Sequence, residues 1–241
     1  MKYDADQFSD GIPKITATIR GKKVYDPRTG TTAWSENPAL CVYDYIKDSK
    51  YGLNNPAINI QSVIDSANVC DQNIPTINHT RYSLSGFLSS GDKLSSNIES
   101  MITSMFGRVV LSGGELFINA GYYTSPVLDI NESHLVGGMS LQTKQSRRNV
   151  YNAVKGVFLS EEENYILADY PSIKSDSYSL EDGEPLYLDL TLPFTTNNVR
   201  AQRLAKLALN KSRQNRTISI PVNMVGIKVR AGDVIRFTSQ S

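Results

Sequence analysis

Sulfur and imidazole are scarce in this chain of 241 residues, which holds two cysteines, Cys41 and Cys70, and two histidines, His79 and His134. Spread so widely, they give a zinc site almost nothing to work with. Both cysteines sit in apolar segments of helical character, so two buried free thiols are expected rather than a disulfide. Long apolar runs are missing too. No stretch of about 18 uncharged apolar residues exists, which argues against a transmembrane helix. Met1-Lys2-Tyr3-Asp4-Ala5-Asp6 is charged and lacks the apolar segment of a signal peptide, so no secretory route is expected. An excess of one charge is also absent. The 25 Lys and Arg against 24 Asp and Glu leave a formal net charge of +1, far from the basic excess of a general nucleic-acid binder.

Catalytic signatures are absent in the same way. There is no Gly-x-Ser-x-Gly elbow and no His-Glu-x-x-His pair. His79, within Ile77-Asn78-His79-Thr80-Arg81, lies in a polar connection and reads as a surface residue, as does His134 beside Glu132 and Ser133. A general base would need an orienting partner, and exposure is the better reading of both histidines. Gly113-Gly114 and Gly137-Gly138 are not phosphate loops, because no Lys-Ser/Thr follows them. Glu161-Glu162-Glu163 is a plain run, and Glu181-Asp182-Gly183-Glu184 lacks the alternating ligands of a calcium loop. Both read as solvated loop charge. No catalytic, cofactor or metal residue is assigned, and the chain is read as a non-enzyme.

What is present is a clear succession of elements. Ile15-Thr16-Ala17-Thr18-Ile19 alternates at period two, as a half-buried strand does. Val24-Tyr25 is a short strand before an Asp-Pro-Arg-Thr-Gly turn at 26–30. Asn37-Pro38 opens a helix of roughly ten residues. A second helix is expected at 60–70 on a face of Ile60, Val63, Ile64 and Ala67, and Tyr82 to Gly86 reads as a strand end. A third helix, 93–106, has Leu94, Ile98, Met101, Ile102 and Met105 in line and Gly107 as its stop. Strands 108–111 and 115–119 around Ser112-Gly113-Gly114 make the firmest local signal, a β-hairpin. After Leu135 strands dominate, at 140–143, 153–159, 186–192, 217–222 and 234–237. A single helix at 199–213 interrupts them, with Ala201, Leu204, Ala205 and Ala208 in a stripe. Segment 160–185 reads as a long loop or edge excursion.

The expected fold class is α+β: a mixed domain, then a β-rich domain with one packed helix. The divisions are 1–36 (strands and loop), 37–135 (α+β) and 136–241 (β-rich, with helix 199–213). The last strand reaches Ser241 without a tail, which suggests a segment of a longer polypeptide. In helix 199–213 the charges have one sign: Arg200, Arg203, Lys206, Lys211 and Arg213. Its apolar stripe should face a sheet and its basic residues should face outward. They are then a solvated face, an intersubunit contact with acidic loops such as Glu161, Glu162 and Glu163, or a polyanion surface. No aromatics interleave with them, which counts against single-strand binding.

The order of these motifs resembles the phage tail tip attachment protein J family, the central hub of long flexible tails. The resemblance rests on Gly21, Val24-Tyr25-Asp26-Pro27-Arg28, Asn37-Pro38-Ala39-Leu40, Tyr43-Asp44-Tyr45-Ile46 and Tyr51-Gly52-Leu53. It continues in Cys70-Asp71, the Gly113-Gly114 hairpin, Arg148-Asn149-Val150, Ala201-Gln202-Arg203-Leu204-Ala205 and Gly232-Asp233-Val234. Two features depart from the family: its members are commonly several times longer, and the Glu-rich stretch near 160–165 is not part of its pattern. The resemblance implies a homotrimeric baseplate hub without catalysis or cofactor, in which residues 136–241 form a tube-like barrel domain. It would cap the tail tube, surround the DNA channel without binding DNA specifically, and carry parts that meet the host receptor. Its partners would be the tail tube and other tail tip proteins, with no membrane insertion by this segment. It would be made in the host cytoplasm and reside in the virion. A carbohydrate- or receptor-binding module, with tyrosines and Trp34 as a stacking platform, is the alternative. A wall-cleaving hydrolase is a third reading, and no carboxylate pair or metal site supports it.

Overall fold

A computed structural model describes residues 17–75, 78–142, 150–214 and 216–239. Met1–Asp6, Ile15-Thr16 of the first expected strand, Thr143, and Arg148-Asn149 of the Arg-Asn-Val motif lie outside these. Residues 17–19 are exposed and not in a strand.

The first half runs β1 (Lys23–Asp26), β2 (Thr31–Trp34), α1 (Pro38–Lys47), α2 (Ile60–Asp71), β3 (Asn73–Ile74), β4 (His79–Thr80), α3 (Leu94–Thr103), β5 (Arg108–Ser112) and β6 (Glu115–Asn119). Helix α1 starts where Asn37-Pro38 says it should. Asn37 Oδ1 accepts from the N–H groups of Ala39 (3.0 Å) and Leu40 (3.4 Å), and Pro38 fills a position whose N–H would be idle. The Asn37 amide also donates to Ala67 O of α2 at 2.9 Å. Seven of the ten α1 residues are buried, because β1, α2, α3 and β6 all pack on it.

Helix α2 forms as expected but is turned. Val63, Ser66, Ala67 and Cys70 face inward, while Ile60 is exposed. Two serines explain the rotation. Ser66 Oγ donates to Ile118 O (2.7 Å) and accepts from Ala120 N (3.0 Å), and Ser62 Oγ accepts from Ile118 N (3.1 Å). These hydroxyls satisfy the edge of β6, whose backbone groups would be orphaned against an apolar helix face. The hairpin β5–β6 follows α3 closely, with Gly113 at φ +60° and Gly114 at +84°, the pair of left-handed residues that a two-residue hairpin turn requires. Residues 82–84 are buried but form no strand.

The second half contains β7 (Leu128–Asn131), β8 (Ser140–Gln142), β9 (Ala153–Lys155), β10 (Val157–Ser160), β11 (Ile166–Asp169), β12 (Ile173–Lys174), α4 (Asp176–Asp182), β13 (Tyr187–Asp189), α5 (Asn198–Arg213), β14 (Thr217–Ser219) and β15 (Ile235–Thr238). The strand expected at 153–159 is two strands. Gly156 breaks it at φ +153°, where any Cβ would collide with the backbone of Leu190. The chain changes partners there: β9 is central in the sheet β12-β9-β13, and β10 pairs with β11. The expected loop 160–185 therefore carries β11, β12 and α4. Helix α5 lies on β9, β10 and β12 and buries Ala201, Leu204, Ala205 and Leu209.

Helices and strands mix throughout, so the fold is α+β. Among the described residues no sheet closes into a barrel, and the largest has three strands. Strands of two to five residues are too short to wrap a tilted, staggered wall, and α5 covers the sheet that would begin one. The buried cluster runs from Val24 to Leu209 and draws on both sides of position 136. Outside it, β7 pairs in parallel with β15, and β8 pairs antiparallel with β14. In that outer lobe, residues 122–142 and 216–239, Ile130 alone is buried.

Candidate functional site

With no reactive constellation to build on, the candidate site is the charged surface around α5 and the acidic excursion. Asn197 caps α5, its Oδ1 accepting from Val199 N (2.9 Å) and Arg200 N (3.2 Å). With alanines and leucines facing the sheet, the arginines fall on the flanks of the helix. The sequence expectation of outward basic side chains holds for Lys206 and Lys211, which are exposed, and is corrected for the arginines, which are half-buried. Arg200 donates from Nη2 to Thr80 Oγ1 (2.9 Å) and from Nε to Thr80 O (3.3 Å). Arg203 donates to Arg81 O and lies 5.0 Å from the centroid of the Tyr82 ring. Lys211 stands 5.2 Å from that of Phe106. Cations with long stems settle on aromatic faces and carbonyls when these are within reach. Burial pulls the Arg200 and Arg203 guanidiniums below their ordinary pKa. Lys206 stays exposed.

At the other end of α5, Arg213 donates to Asp182 from Nη1 at 3.1 Å and from Nη2. Its Nε donates to Tyr151 O at 2.9 Å, and its guanidinium lies over the Tyr178 ring at 4.5 Å. Asn152, fully buried, completes the network. Its Nδ2 donates to Asp182 Oδ2 (2.8 Å) and Glu184 O (2.7 Å), and its Oδ1 accepts from Leu186 N (2.8 Å). Asp182, expected as solvated loop charge, is therefore the anchor of the excursion.

Glu161, Glu162 and Glu163 are exposed between β10 and β11, and Glu161 acts electrostatically on Arg200 of its own chain. His79 is exposed. His134 is half-buried and accepts at Nδ1 from Asn131 N (3.2 Å), closing a capping box. Cys41 and Cys70 are free, and burial pushes both thiols up to about 12. Among the described residues no group of three or more His, Cys, Asp or Glu could hold a metal, and no helix is long and apolar enough to cross a membrane. Tyr43, Tyr45 and Tyr82 are core residues, as expected. Tyr187 sits at the rim with Lys155 and Lys174 over its ring.

One surface escapes the sequence reading. An open depression of about 690 Å³ is lined by Val136, Val222, Asn223, Met224, Gly226 and Ile227.

Among the described residues, the arginines of α5 are held by their own chain, and the outer lobe keeps apolar side chains exposed. Residues 93–241 match the family model described as "Putative phage tail protein". That is more than half of the chain, which belongs to this family of phage tail proteins. At the level of individual relatives, it is 22% identical over 258 aligned residues to the "Tip attachment protein J" of Escherichia phage SECphi27, covering 98% of this chain and 21% of that protein. The chain thus spans about a fifth of the length of this relative. Among solved structures it is similar to the 43 kDa tail protein of prophage MuSo2 from Shewanella oneidensis, at 14% identity. That likeness covers 56% of this chain and 38% of the other with a TM-score of 0.34, too loose to say anything of the fold.

Proposed function

We propose that the chain is a structural subunit of a phage tail tip, part of a trimeric hub that caps the tail tube and rings the DNA channel. The observation that carries this reading is the alignment to a tip attachment protein along 98% of the chain. The resemblance implies a tube-like barrel, which a single copy does not form among the described residues, so the ring would have to be built from contacts between copies. A net charge of +1 and arginines engaged within the chain suit a channel that lets DNA pass without gripping it. Lys206 and Glu161–Glu163 remain available for contacts between subunits, whereas Arg200 and Arg203 are held by their own chain. The partners are the tail tube and other tail tip proteins, and the host receptor is met indirectly. The chain performs no catalysis in this role, takes no cofactor and resides in the virion after synthesis in the host cytoplasm.

Size-exclusion chromatography with light scattering over a concentration series tests the oligomer. A species of about 80 kDa, three times the 26.7 kDa chain, is expected. Electron microscopy of purified particles should place the chain at the distal end of the tail. A stable dimer, or labelling of the head or shaft, overturns the reading.

A further inference from the structure

The outer lobe carries its apolar side chains outward. In the ladder of β8 and β14, Leu141 stands opposite Ile218, and both outer edges are unpaired among the described residues. Val136, Met139, Leu141, Ile218, Met224 and Ile227 are each 47–79% exposed. Together they leave on the order of 600–700 Å² in the open, more than the largest patch of a typical monomer and close to the roughly 800 Å² per partner of a standard interface. A wet two-stranded ladder is not self-sufficient, so this face requires a cover.

A second surface has the matching character. Strand β11 pairs only with β10, so its far edge is free among the described residues. Its Ile166 and Leu167 are each 57% exposed. The charges around the two surfaces are opposite. Residues 122–142 and 216–239 together hold four basic and three acidic residues. Arg230 and Arg236 are paired inside the lobe to Asp233 and Asp129, so Arg216 and Lys228 carry its surplus. Residues 160–185 hold eight acidic residues against one basic, Asp182 among them paired with Arg213.

We propose that the β8–β14 face is covered by the next copy of this chain, which docks its free β11 edge and acidic excursion there, head to tail. The proposal rests on the ring reading above and names the contact that builds the ring. Pairing the β8–β14 face with itself brings no acidic excursion to Arg216 and Lys228, whereas joining the unlike surfaces sets the exposed carboxylates Glu161–Glu163 towards them. Contact between unlike surfaces is also the kind that closes a ring. An added strand gives the unpaired backbone N–H and C=O groups of both edges a partner.

The test mixes full-length chains carrying Ile227→Cys with chains carrying Leu167→Cys under a mild oxidant, while light scattering follows the oligomer. A disulfide between the two different variants is expected, with little cross-linking of either variant to itself. In the same assay Met224→Asp with Ile227→Asp should weaken association at least tenfold. Cross-linking of the Ile227→Cys variant to itself overturns the head-to-tail contact. Oligomers that form without the mixed disulfide overturn it too, and leave the ring reading standing. A chain that stays monomeric at every concentration overturns both.

Discussion

Replacing Arg213 with Met tests whether one buried ion pair holds the acidic excursion to the rest of the fold. The Arg213 and Asp182 side chains are each 13% exposed, so water screens them little. Removing one member of such a buried pair costs about 3–5 kcal/mol. Tyr151 O also loses the Nε–H that Arg213 donates, which adds about 1 kcal/mol. In a chain of this size each kcal/mol moves the melting midpoint by roughly 2–4 °C. The variant should therefore melt roughly 10 °C or more below the parent in scanning calorimetry. Hydrogen exchange should accelerate first in residues 160–185, because the bonds from Asn152 to Asp182 and Glu184 then lose the support of the Arg213 guanidinium. Adding Asp182→Leu removes the remaining charge of the pair, so the double variant should recover most of the loss, a coupling well above 1 kcal/mol. A single-variant loss below about 1 kcal/mol, or strictly additive losses in the pair, would refute the anchoring role.

Two further outcomes follow from burial. The Tyr170 hydroxyl donates to Leu190 O at 3.1 Å, and burial pushes its pKa up to about 12 from an ordinary 10.0. A folded pKa above the unfolded one makes its contribution complete below about pH 10 and lost as the pH climbs towards 12. Urea unfolding across that range should show the alkaline loss in the parent and a flatter curve in Tyr170→Phe; parallel curves would contradict this. Cys41 and Cys70 should react with a disulfide reagent at pH 8 about a thousandfold more slowly in the native protein than in urea, as the upward shift of both thiols from 9.0 to about 12 demands. Equal rates would mean that the seam between α1 and α2 opens readily.

Elements that carry their own punctuation are legible in the sequence. Asn37-Pro38, Asn197 before an apolar stripe, and the glycine pair of the hairpin announce α1, α5 and β5–β6 through local chemistry. The excursion is not legible. Its strands are two and four residues long in an acidic stretch, and α4 is fixed by Arg213 and Asn152, which lie far away in sequence. The rotation of α2 escapes for a related reason: Ser62 and Ser66 read as solvent-facing until β6 presents backbone groups for them to bond. At the candidate site, the exposure of Glu161–Glu163 is legible because three adjacent carboxylates cannot all be buried. The inward turn of Arg200 and Arg203 is not, since Thr80, Arg81 and Tyr82 precede them by more than about a hundred residues, and no helical periodicity reports such a neighbour. The barrel expectation comes from the family resemblance, and Gly156 divides one of the segments, 153–159, that would have supplied a long strand for it.

The parallel union of β7 with β15 has a consequence for how the protein is born. Leu128 waits for Ile235, roughly a hundred residues later, and at about 5–20 residues per second the ribosome needs several seconds to deliver it. Throughout that interval Leu128 and Ile130 hang from the nascent chain with nothing to pair with. The core around α1 has no such delay, because its hairpin and helices are contiguous. Translation speed across the second half, and any chaperone that shelters it, would thus govern the yield of assembly-competent protein more than the intrinsic stability of the first half.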